Sequence, residues 1–384
     1  MCIRDSSYGL EWTYNNIRSE GFSLDLILDS EKIIGYNNRT MIPSRYPSDG
    51  SSAESFAGYL NWIFRANNRL TLNGGLRVTG SKIGARWNDT AQVDKLLSTL
   101  NLQTEALTYT LAITYRPNQK WQINSLISSG FRNPNIDDIG KIRESNGILL
   151  MPNSFLKPEY AYTFESGVKF NAPNKTNFIE LRAFNTLVSR HIVRSNFFVF
   201  TDTTTTDENT ILYNGEEVIT QANKNLGNRF IYGGSIQGNW LLIKPFEITG
   251  GITFTTADRN EDYGPMPSIA PLFGTFTLSQ VMKNWKTILI WRFSQRKYPN
   301  QFSLGGEDGL NETPLINPEA SNEIGRYYGM PSWNIWSILS QYQLRKNIVF
   351  NVGLKNIFDL HYRTFASGIS AEGRSLQLGI KVKI

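Results

Sequence analysis

Apolar and polar residues alternate along many stretches of this chain, most of them ten to fourteen residues long. ALTYTLAITYR (106–116) and EYAYTFESGVKF (159–170) place apolar side chains at nearly every second position. A period of two residues is typical of a β-strand with one apolar and one polar face. The clearest case is the C-terminal stretch RSLQLGIKVKI, whose apolar face consists of Leu376, Leu378, Ile380, Val382 and Ile384.

Fourteen segments fit this pattern, and we predict that each is a strand. Their length exceeds the roughly five or six residues of an average soluble strand and matches that of a tilted strand crossing a bilayer. The segments lie near 8–15, 55–66, 69–80, 105–116, 119–130, 159–170, 175–187, 226–242, 246–257, 268–281, 285–297, 332–343, 347–357 and 372–384. Aromatic residues on their apolar faces suit the interfacial girdles of a membrane barrel: Trp62, Tyr109, Tyr115, Trp121, Tyr160, Phe170 and Tyr342.

The connections between these strands alternate between short and long. The tight turns are centred on 66–68, 117–119, 172–175, 244–246, 283–285 and 345–347, and the other connections have ten or more residues. An antiparallel transmembrane β-barrel predicts this alternation, with short turns in the periplasm and long loops outside the cell. If the last loop, 358–371, is extracellular, the chain ends in the periplasm.

The composition narrows the function classes. Hydrophobic residues make up 40% and charged residues 19% of the chain, which also has 22 Phe, 17 Tyr and 9 Trp; aromatic-rich composition of this kind favours β-structure. One cysteine and two histidines leave too few ligands for a Cys- or His-based metal site, and we predict no cofactor. The net charge of +6 is spread along the chain, which argues against a nucleic-acid partner. The chain contains no run of 18 apolar residues, so we predict no transmembrane helix.

The N-terminus, MCIRDSS, has neither the basic nor the apolar region of a secretory signal. Because it also fits no later pattern, we interpret residues 1–7 as a non-native start and residues 8–384 as one barrel unit. Two other architectures remain open: a soluble all-β binding protein and a complete passive channel of 14 strands. A propeller is disfavoured because no motif repeats every 40 to 50 residues.

Four stretches, in their order and spacing, resemble the C-terminal barrel of TonB-dependent outer-membrane receptors: SSGFRNPNIDDIGK (128–141), NSFLKPEYAYTFESGVKF (153–170), VGLKNIFDLHYRTF (352–365) and GRSLQLGIKVKI (373–384). The resemblance extends from about residue 8 to the C-terminus. It implies a barrel of about 22 strands around an N-terminal plug, of which this chain would supply about 14 strands and no plug domain. Open edges of such a partial sheet would have to pair with the missing strands.

The resemblance implies a bacterial outer-membrane receptor that binds a scarce ligand at extracellular loops and imports it with TonB-derived energy. An iron chelate, either a siderophore or haem, is the expected ligand, and a glycan importer of the starch-utilisation type is the alternative. The implied partners are outer-membrane lipid, the TonB complex through the missing N-terminal part, a small-molecule metal chelate and the barrel-assembly machinery. No combination of residues resembles an enzyme site.

FRNP (131–134) and NSFL (153–156) resemble the paired boxes that flank a haem-ligating histidine in haem receptors. The residues between them, IDDIGKIRESNGILLMP, contain no histidine, so direct haem ligation from this loop is unsupported unless Met151 or a nearby tyrosine substitutes. We predict that residues 131–158 form a loop without strand or helix.

Loop residues in and beyond these boxes are predicted to bind the ligand: Phe131, Arg132, Asn133, Asn153, His191, Phe198, Tyr327 and Tyr328. His361 is a second histidine in a predicted outer loop, and GGEDG (305–309) lacks the lysine of a phosphate-binding loop. The assembly signal is predicted to be the apolar face of the last strand: Leu376, Leu378, Ile380, Val382 and Ile384. Ile384 departs from the family, whose last residue is usually aromatic.

Overall fold

A computed structural model describes residues 3–42, 44, 46–87, 99–145, 147–174, 176–197, 209–213, 216–260, 264–304 and 307–383. The strands, in chain order, are β1 (Ile3–Ile17), β2 (Gly21–Asp29), β3 (Lys32–Ile42), β4 (Ser51–Arg65), β5 (Leu70–Arg86), β6 (Thr99–Tyr115), β7 (Trp121–Arg132), β8 (Arg143–Ser145), β9 (Ile148–Leu150), β10 (Glu159–Asn171), β11 (Phe178–Ser189), β12 (His191–Asn196), β13 (Thr210–Tyr213), β14 (Glu216–Leu226), β15 (Arg229–Ile243), β16 (Phe246–Ala257), β17 (Arg259–Asn260), β18 (Gly264–Pro265), β19 (Phe273–Met282), β20 (Trp285–Ser294), β21 (Trp333–Arg345), β22 (Ile348–Lys355) and β23 (Ser375–Val382). The helices are α1 (Ile136–Ile139) and α2 (Glu323–Arg326). Among the described residues, no helix is long and apolar enough to span a membrane.

One antiparallel sheet contains 14 strands in the order β1-β4-β5-β6-β7-β10-β11-β15-β16-β19-β20-β21-β22-β23. Each of them overlaps one of the predicted strands, so the predicted all-β antiparallel fold class is confirmed. Within the described residues, β1 pairs in this sheet only with β4, and β23 only with β22. Short turns and long connections alternate along the sheet as predicted, which gives it a turn side and a loop side.

The strand register keeps one apolar face continuous across the sheet. Ile380 lies opposite Phe350, which lies opposite Tyr342 on the next strand. At the turn side, aromatic side chains meet between neighbouring strands: the ring centroids of Trp285 and Tyr342 are 5.2 Å apart, and those of Trp121 and Phe170 are 5.0 Å apart. Such cross-strand aromatic pairs add stability to the sheet. All the aromatic residues assigned to apolar faces from the sequence lie on this face.

A second aromatic group lies on the same face nearer the loop side. Trp291 stacks on Trp336 with ring centroids 5.7 Å apart and on Phe293 at 4.8 Å. Trp291 lies six positions after Trp285 along β20, which corresponds to about 20 Å at the rise of an extended strand. Two aromatic levels with an aliphatic band between them are the girdle arrangement of membrane barrels.

The opposite face of the sheet is polar. Arg77 donates from Nη1 to Glu11 Oε2 at 3.1 Å, and Arg182 donates from Nε to Glu180 Oε1 at 2.7 Å. Gln237 on the adjacent strand donates to the second oxygen of Glu180 at 2.9 Å. These charged side chains on the polar face are therefore bound to neighbours on the same strand or on other strands of the sheet.

The prediction that residues 131–158 contain neither strand nor helix was wrong. They include α1, β8 and β9, and β9 pairs in parallel with β14, which also pairs with β12. The α1 turn is held by a capping box in which Asn135 and Asp138 bond each other's backbone N–H groups. Together with β12 and β13, the strands β8, β9 and β14 form a loop sheet, which covers the fully buried side chains of Ile139 and Leu149. These side chains belong to a hydrophobic cluster that also includes Ile83 and Ala85 of β5 and Leu100 of β6.

The connection between the first two barrel strands also contains structure that the sequence pattern missed. β2 and β3 form a separate two-stranded sheet, and its register shifts at two positions. Many of its apolar side chains are exposed: Leu28 is 60% exposed and Ile34 is 64% exposed. We define this pair of strands as the loop-side hairpin.

Replacement of Leu149 by alanine tests whether the loop sheet depends on this hydrophobic cluster. Leu149 is 0% exposed, and truncation of such a leucine costs about 2–5 kcal/mol. We expect faster amide hydrogen exchange in β9 and β14 and unchanged exchange in the central barrel strands. Phe155→Ala is the control, because Phe155 is 83% exposed and its truncation leaves no cavity. Equal exchange in the two variants would contradict a stabilising role of this cluster in the loop sheet.

Candidate functional site

A cleft of about 840 Å³ opens at the loop side of the sheet. Two connections form most of its walls, residues 295–332 and residues 356–374, and Arg143 of β8 joins them from a third connection. The cleft thus lies where three connections that are distant in sequence meet. Its volume is within the range of about 300–1,000 Å³ that is usual for small-molecule sites.

A buried ion pair fixes the first of these connections. Lys297 donates from Nζ to Asp308 Oδ2 at 2.9 Å and to the Ile269 carbonyl oxygen at 2.8 Å. The side chains of the pair are 3% and 1% exposed. Asp308 Oδ1 accepts from the Ser268 backbone N–H at 2.7 Å, so both carboxylate oxygens are bonded. Burial lowers the pKa of Lys297, and the hydrogen bond and charge of Asp308 oppose this effect.

The same lysine also ties the two connections to each other. Its Nζ lies 4.1 Å from the ring centroid of Phe365, a cation–π contact across the two connections. Its backbone exchanges two hydrogen bonds of 3.0 Å with Met330. The adjacent Gly329 has a φ of 79°, where an added Cβ would collide with the Lys297 carbonyl oxygen, so this close approach requires glycine.

The floor of the cleft is apolar. Phe302, Leu310 and Met330 are 3%, 6% and 5% exposed and form one cluster. Phe365 packs against this cluster with its ring edge toward Phe302, at 6.5 Å between centroids. A ligand seated here would lose water from an aromatic or aliphatic surface, which is the main source of binding energy for small molecules in such sites.

The wall of the cleft is polar and mixed in charge. Arg363 donates from Nη1 to the Glu312 carbonyl oxygen at 3.0 Å, and His361 Nε2 lies 2.8 Å from Ser370 Oγ. Glu307 accepts from Ser303 Oγ at 2.9 Å. Arg143 is exposed, and within the described part of the chain its guanidinium has no hydrogen-bond or ion-pair partner. Arg143 is therefore the lining cation that is free to bind an anionic group.

The first predicted box is bound into the rim of the sheet. Arg132 donates from Nη2 to both oxygens of Asp138, at 2.7 and 2.8 Å. Asn133 donates to Ser81 Oγ at 2.8 Å and accepts from Thr104 Oγ1 at 3.0 Å. These bonds attach the loop to β5 and β6. The chain leaves β7 at Arg132, two residues beyond the end of the predicted strand.

The second predicted box is bound into the loop sheet. Asn153 donates from Nδ2 to the Asn223 carbonyl oxygen at 2.7 Å, and its Oδ1 accepts from the Phe155 backbone N–H at 3.0 Å. The Asn153 side chain is buried. Its amide group thus holds β14 and the turn before β10 together, and a role of Asn153 in ligand binding stays a prediction.

His191 lies at the junction between β11 and the loop sheet. It is 6% exposed, and its Nδ1 has no hydrogen-bond partner among the described residues. Burial is the main cause that lowers the pKa of His191; Arg229 and Arg132 lower it further, whereas Glu159 and Glu307 raise it. The neutral imidazole is therefore the favoured form in the folded loop.

The remaining predicted residues are dispersed. Phe131 lies on the apolar face of the sheet, with its ring centroid 6.3 Å from that of Tyr160. Tyr328 stacks under the Arg296 guanidinium at 3.5 Å, and Tyr327 packs against the apolar cluster below the cleft. Phe198 and Ile384 lie outside the described residues. The other predicted assembly residues are on the apolar face of β23, and their role stays a prediction: Leu376, Leu378, Ile380 and Val382.

None of the predicted ligand residues that the structure describes lines the cleft, although His361, the second loop histidine, does. Of residues 131–158, which contain both boxes, Arg143 lines the cleft, and the residues of the boxes do not. An isolated arginine in a polar stretch has no sequence signal, because its significance comes from loops more than 150 residues further along the chain. The described residues contain no cluster of three or more His, Cys, Asp or Glu side chains suited to a metal ion.

Comparison with known proteins identifies the type of sheet. The family described as TonB dependent receptor-like, beta-barrel matches residues 4–357. No curated protein matches the chain. Among solved structures, it is similar to the copper transporter OprC, with a TM-score of 0.70 and 14% identity, and to the siderophore receptor PiuA from Acinetobacter baumannii, with 0.68 and 15%. It is also similar to the Serratia marcescens hemophore receptor HasR, with 0.62 and 15%.

These similarities cover 99% of this chain but only 54% of OprC, 53% of PiuA and 59% of HasR. The chain thus spans little more than half the length of the solved receptors it resembles. At such low identity the likeness shows the shared fold alone, and it does not transfer a ligand.

Disruption of the buried ion pair tests how the cleft is held. Lys297→Met leaves the Asp308 carboxylate buried without its cation, which typically costs about 3–5 kcal/mol. We expect rapid protease cleavage within residues 295–332 while the barrel strands stay protected. Adding Asp308→Asn should restore part of the resistance, because the amide oxygen can still accept from Ser268. Equal cleavage of the single variant and the unaltered protein would contradict this role.

Protonation of His191 should loosen the loop sheet. Since the folded-state pKa lies below the ordinary value of 6.5, the unfolded loop binds more protons as the pH falls through 6.5, and stability decreases over that range. Amide exchange in β12 and β14, corrected for the intrinsic rate, measures this. The pH dependence should disappear in His191→Gln and persist in His361→Gln. Its persistence in His191→Gln would assign the effect to other groups.

Proposed function

Because the chain belongs to the TonB-dependent receptor-like β-barrel family, whose members are outer-membrane transporters and not enzymes, we propose that it is the C-terminal barrel part of a receptor for an iron chelate. The chelate binds in the loop-side cleft. It then passes through the barrel to the periplasm when the TonB complex acts on the N-terminal part of the receptor.

The cleft is the observation that carries this proposal. It has an aromatic floor at Phe302 and Phe365 and a cation, Arg143, at its wall. Ferric siderophores combine flat, apolar ligand groups with a net negative charge around the iron, so both surfaces have a counterpart in them. Arginine suits such anionic oxygen ligands because its planar guanidinium donates two parallel hydrogen bonds.

The architecture of the sheet supports transport rather than storage. The apolar face meets lipid, and the polar face lines the barrel interior, so a ligand held at the loop side is positioned above a polar passage. The family implies interaction with the TonB complex, which is the proposed source of energy for transport.

A siderophore is favoured over haem by the chemistry of the available ligands. The connection between the two boxes has no histidine, and the cleft's own histidine, His361, is hydrogen-bonded to Ser370. Axial ligation of haem iron needs a free imidazole, thioether, thiolate or phenolate, and the thioether and the phenol that line the cleft, Met330 and Tyr362, are both buried. The names of similar structures include siderophore and hemophore receptors, so hemin is one competing probe. A linear glucan is the second, because a glycan importer is the alternative function.

Ligand binding by the purified protein in detergent tests the proposal. We expect a ferric tris-catecholate to quench tryptophan fluorescence, and Arg143→Gln to weaken its binding roughly tenfold through loss of a charged hydrogen bond. Phe365→Ala should weaken it similarly by removing part of the floor. Lys32→Gln is the matched control, because Lys32 is exposed on the loop-side hairpin, outside the cleft.

The competing ligands give distinct outcomes. Saturable binding of hemin with a Soret shift, and none of the ferric chelate, would replace the siderophore by haem. Binding of the linear glucan alone would support a glycan importer. Equal affinity of the Arg143 and Lys32 variants for the ferric chelate would remove the cleft from the proposal. Steady ion conductance by the isolated chain in a planar bilayer would favour a passive channel.

A further inference from the structure

The loop-side hairpin has an apolar face that is exposed to solvent. Along β2, every second side chain from Phe22 to Leu28 is apolar, and alternate side chains of a strand project to the same side. The residues of β3 that pair with Phe22, Leu26 and Leu28 are apolar as well, and paired residues share a face. We define these side chains as the hairpin face, and each is between 41% and 60% exposed: Phe22, Leu24, Leu26, Leu28, Ile33, Tyr36 and Met41.

The other side of the hairpin is mainly polar. Ser23 pairs there with Thr40, and Asp25 pairs with Asn37. Asp25 Oδ2 also accepts a hydrogen bond of 3.0 Å from Asn38 Nδ2. The hairpin is therefore amphipathic, and its polar side is suited to water. A contiguous apolar surface of several hundred Å² is uncommon on a monomer and marks an interaction site.

The hairpin face has the size and composition of one half of a protein interface. Its seven side chains, each about half exposed, present on the order of 700 Å², close to the roughly 800 Å² that each partner contributes to a standard interface. The Arg39 guanidinium lies 4.0 Å from the ring centroid of Phe22 at one end of this face. Phe, Tyr, Met and Arg, all present here, are the residue types enriched in protein interfaces.

The charges around the hairpin face argue against lipid as the occupant. Residues 18–42 have three basic and four acidic side chains, so this segment has a net charge of −1. Amphipathic segments that lie on a membrane surface are instead rich in Lys and Arg, which are attracted to anionic lipids. The composition of the hairpin therefore favours a protein partner over the headgroups of a bilayer.

The hairpin also begins beyond the aromatic level of its own barrel strand. Trp12 and Tyr14 stack near the loop-side end of β1, with ring centroids 6.5 Å apart. Gly21, the first residue of β2, comes seven positions after Tyr14. Since Trp and Tyr are enriched at the boundary between lipid and water, the hairpin face starts outside the hydrocarbon layer.

The backbone of the hairpin favours contact through its face over contact through an edge. β3 has an extra residue relative to β2 at two positions, near Asn38 and at Ile34. Such bulges interrupt the hydrogen-bond ladder and hinder another strand from pairing at an edge. The apolar side chains of β2, which has no extra residue, still form one continuous row.

A second copy of the same chain fits the hairpin face. Copies inserted in one membrane share their orientation, so their hairpins lie at the same height. A two-fold axis along the membrane normal can then bring the same surface of both copies together. The hairpin tip has charges of both signs, Asp29 and Glu31 beside Lys32, so a second tip offers a countercharge to each of them.

We propose that the hairpin face is the contact between two copies of this protein in the outer membrane, which pack their hairpin faces against each other around a two-fold axis. Burial of the two apolar surfaces supplies the main favourable free energy. None of the residues of the hairpin face lines the ligand cleft, so the contact forms with or without a bound ligand.

Cysteine cross-linking in isolated outer membranes tests this contact. The background is Cys2→Ser, which removes the one cysteine of the chain. Leu26→Cys or Tyr36→Cys then places a thiol on the hairpin face, and Asp25→Cys or Asn37→Cys places one on the polar side of the neighbouring pair. With a short bis-maleimide, we expect a product of twice the protein mass from the first two variants and at least tenfold less from the other two.

A pair of charge insertions gives a second readout. Leu26→Asp/Tyr36→Asp puts two carboxylates on the hairpin face, and we expect native mass spectrometry in nonionic detergent to show loss of the dimer. Ser23→Asp/Thr40→Asp is the matched control, because it adds the same charges at another directly paired position on the polar side. The control should keep the dimer.

Three results would overturn the proposal. The first is equal cross-linking from both sides of the hairpin, or none from either side. The second is a Leu26→Cys thiol that resists a polar maleimide in the monomer, since another part of the same receptor would then cover the face. The third is quenching of a fluorophore on that thiol by brominated lipid, which would assign the face to the bilayer.

Discussion

One antiparallel register governs the whole molecule. A bilayer offers no water to backbone groups, so each membrane strand must bond its neighbours along its length. Because the side-chain period is two, a shift by a single residue would move every apolar side chain to the wrong face. From β1 to β23 the cross-strand pairs keep that order, and the irregularities within the sheet lie next to the turns, as after Leu241 and Gln343. The connections that form the cleft are positioned by this register.

The turns on one side of the sheet and the long connections on the other are stabilised in different ways. On the turn side, a few polar residues reverse the chain and need no core. On the loop side, connections of up to about forty residues must bury something to remain ordered, and they use different means: the loop sheet buries Ile139 and Leu149, whereas residues 295–332 depend on the pair Lys297 and Asp308. A buried ion pair is favourable only when its geometry is good. The pair between Lys297 and Asp308 therefore helps to fix the position of the connection that lines the cleft.

The extent of sequence prediction follows from the range of the interactions. Strands such as β10 and β23 were predictable because alternation is local and long enough to recognise. β9 has three residues and exists because β14, about seventy residues later, pairs with it; no local pattern encodes that pairing. The boxes FRNP and NSFL located the ends of a loop correctly, but the residue of that loop that reaches the cleft, Arg143, has meaning only beside Phe365 and Glu307.

The arginines on the loop side differ in whether a carboxylate binds them. Arg132 was predicted to bind the ligand, yet its Nη2 donates to both oxygens of Asp138, so ligand binding would compete with this ion pair. Arg143 at the cleft has no such partner among the described residues. An exposed arginine gains little from folding but retains its full capacity to bind an external anion. Arg143 therefore fits the proposed binding of an anionic chelate in the cleft, whereas Arg132 stabilises the loop.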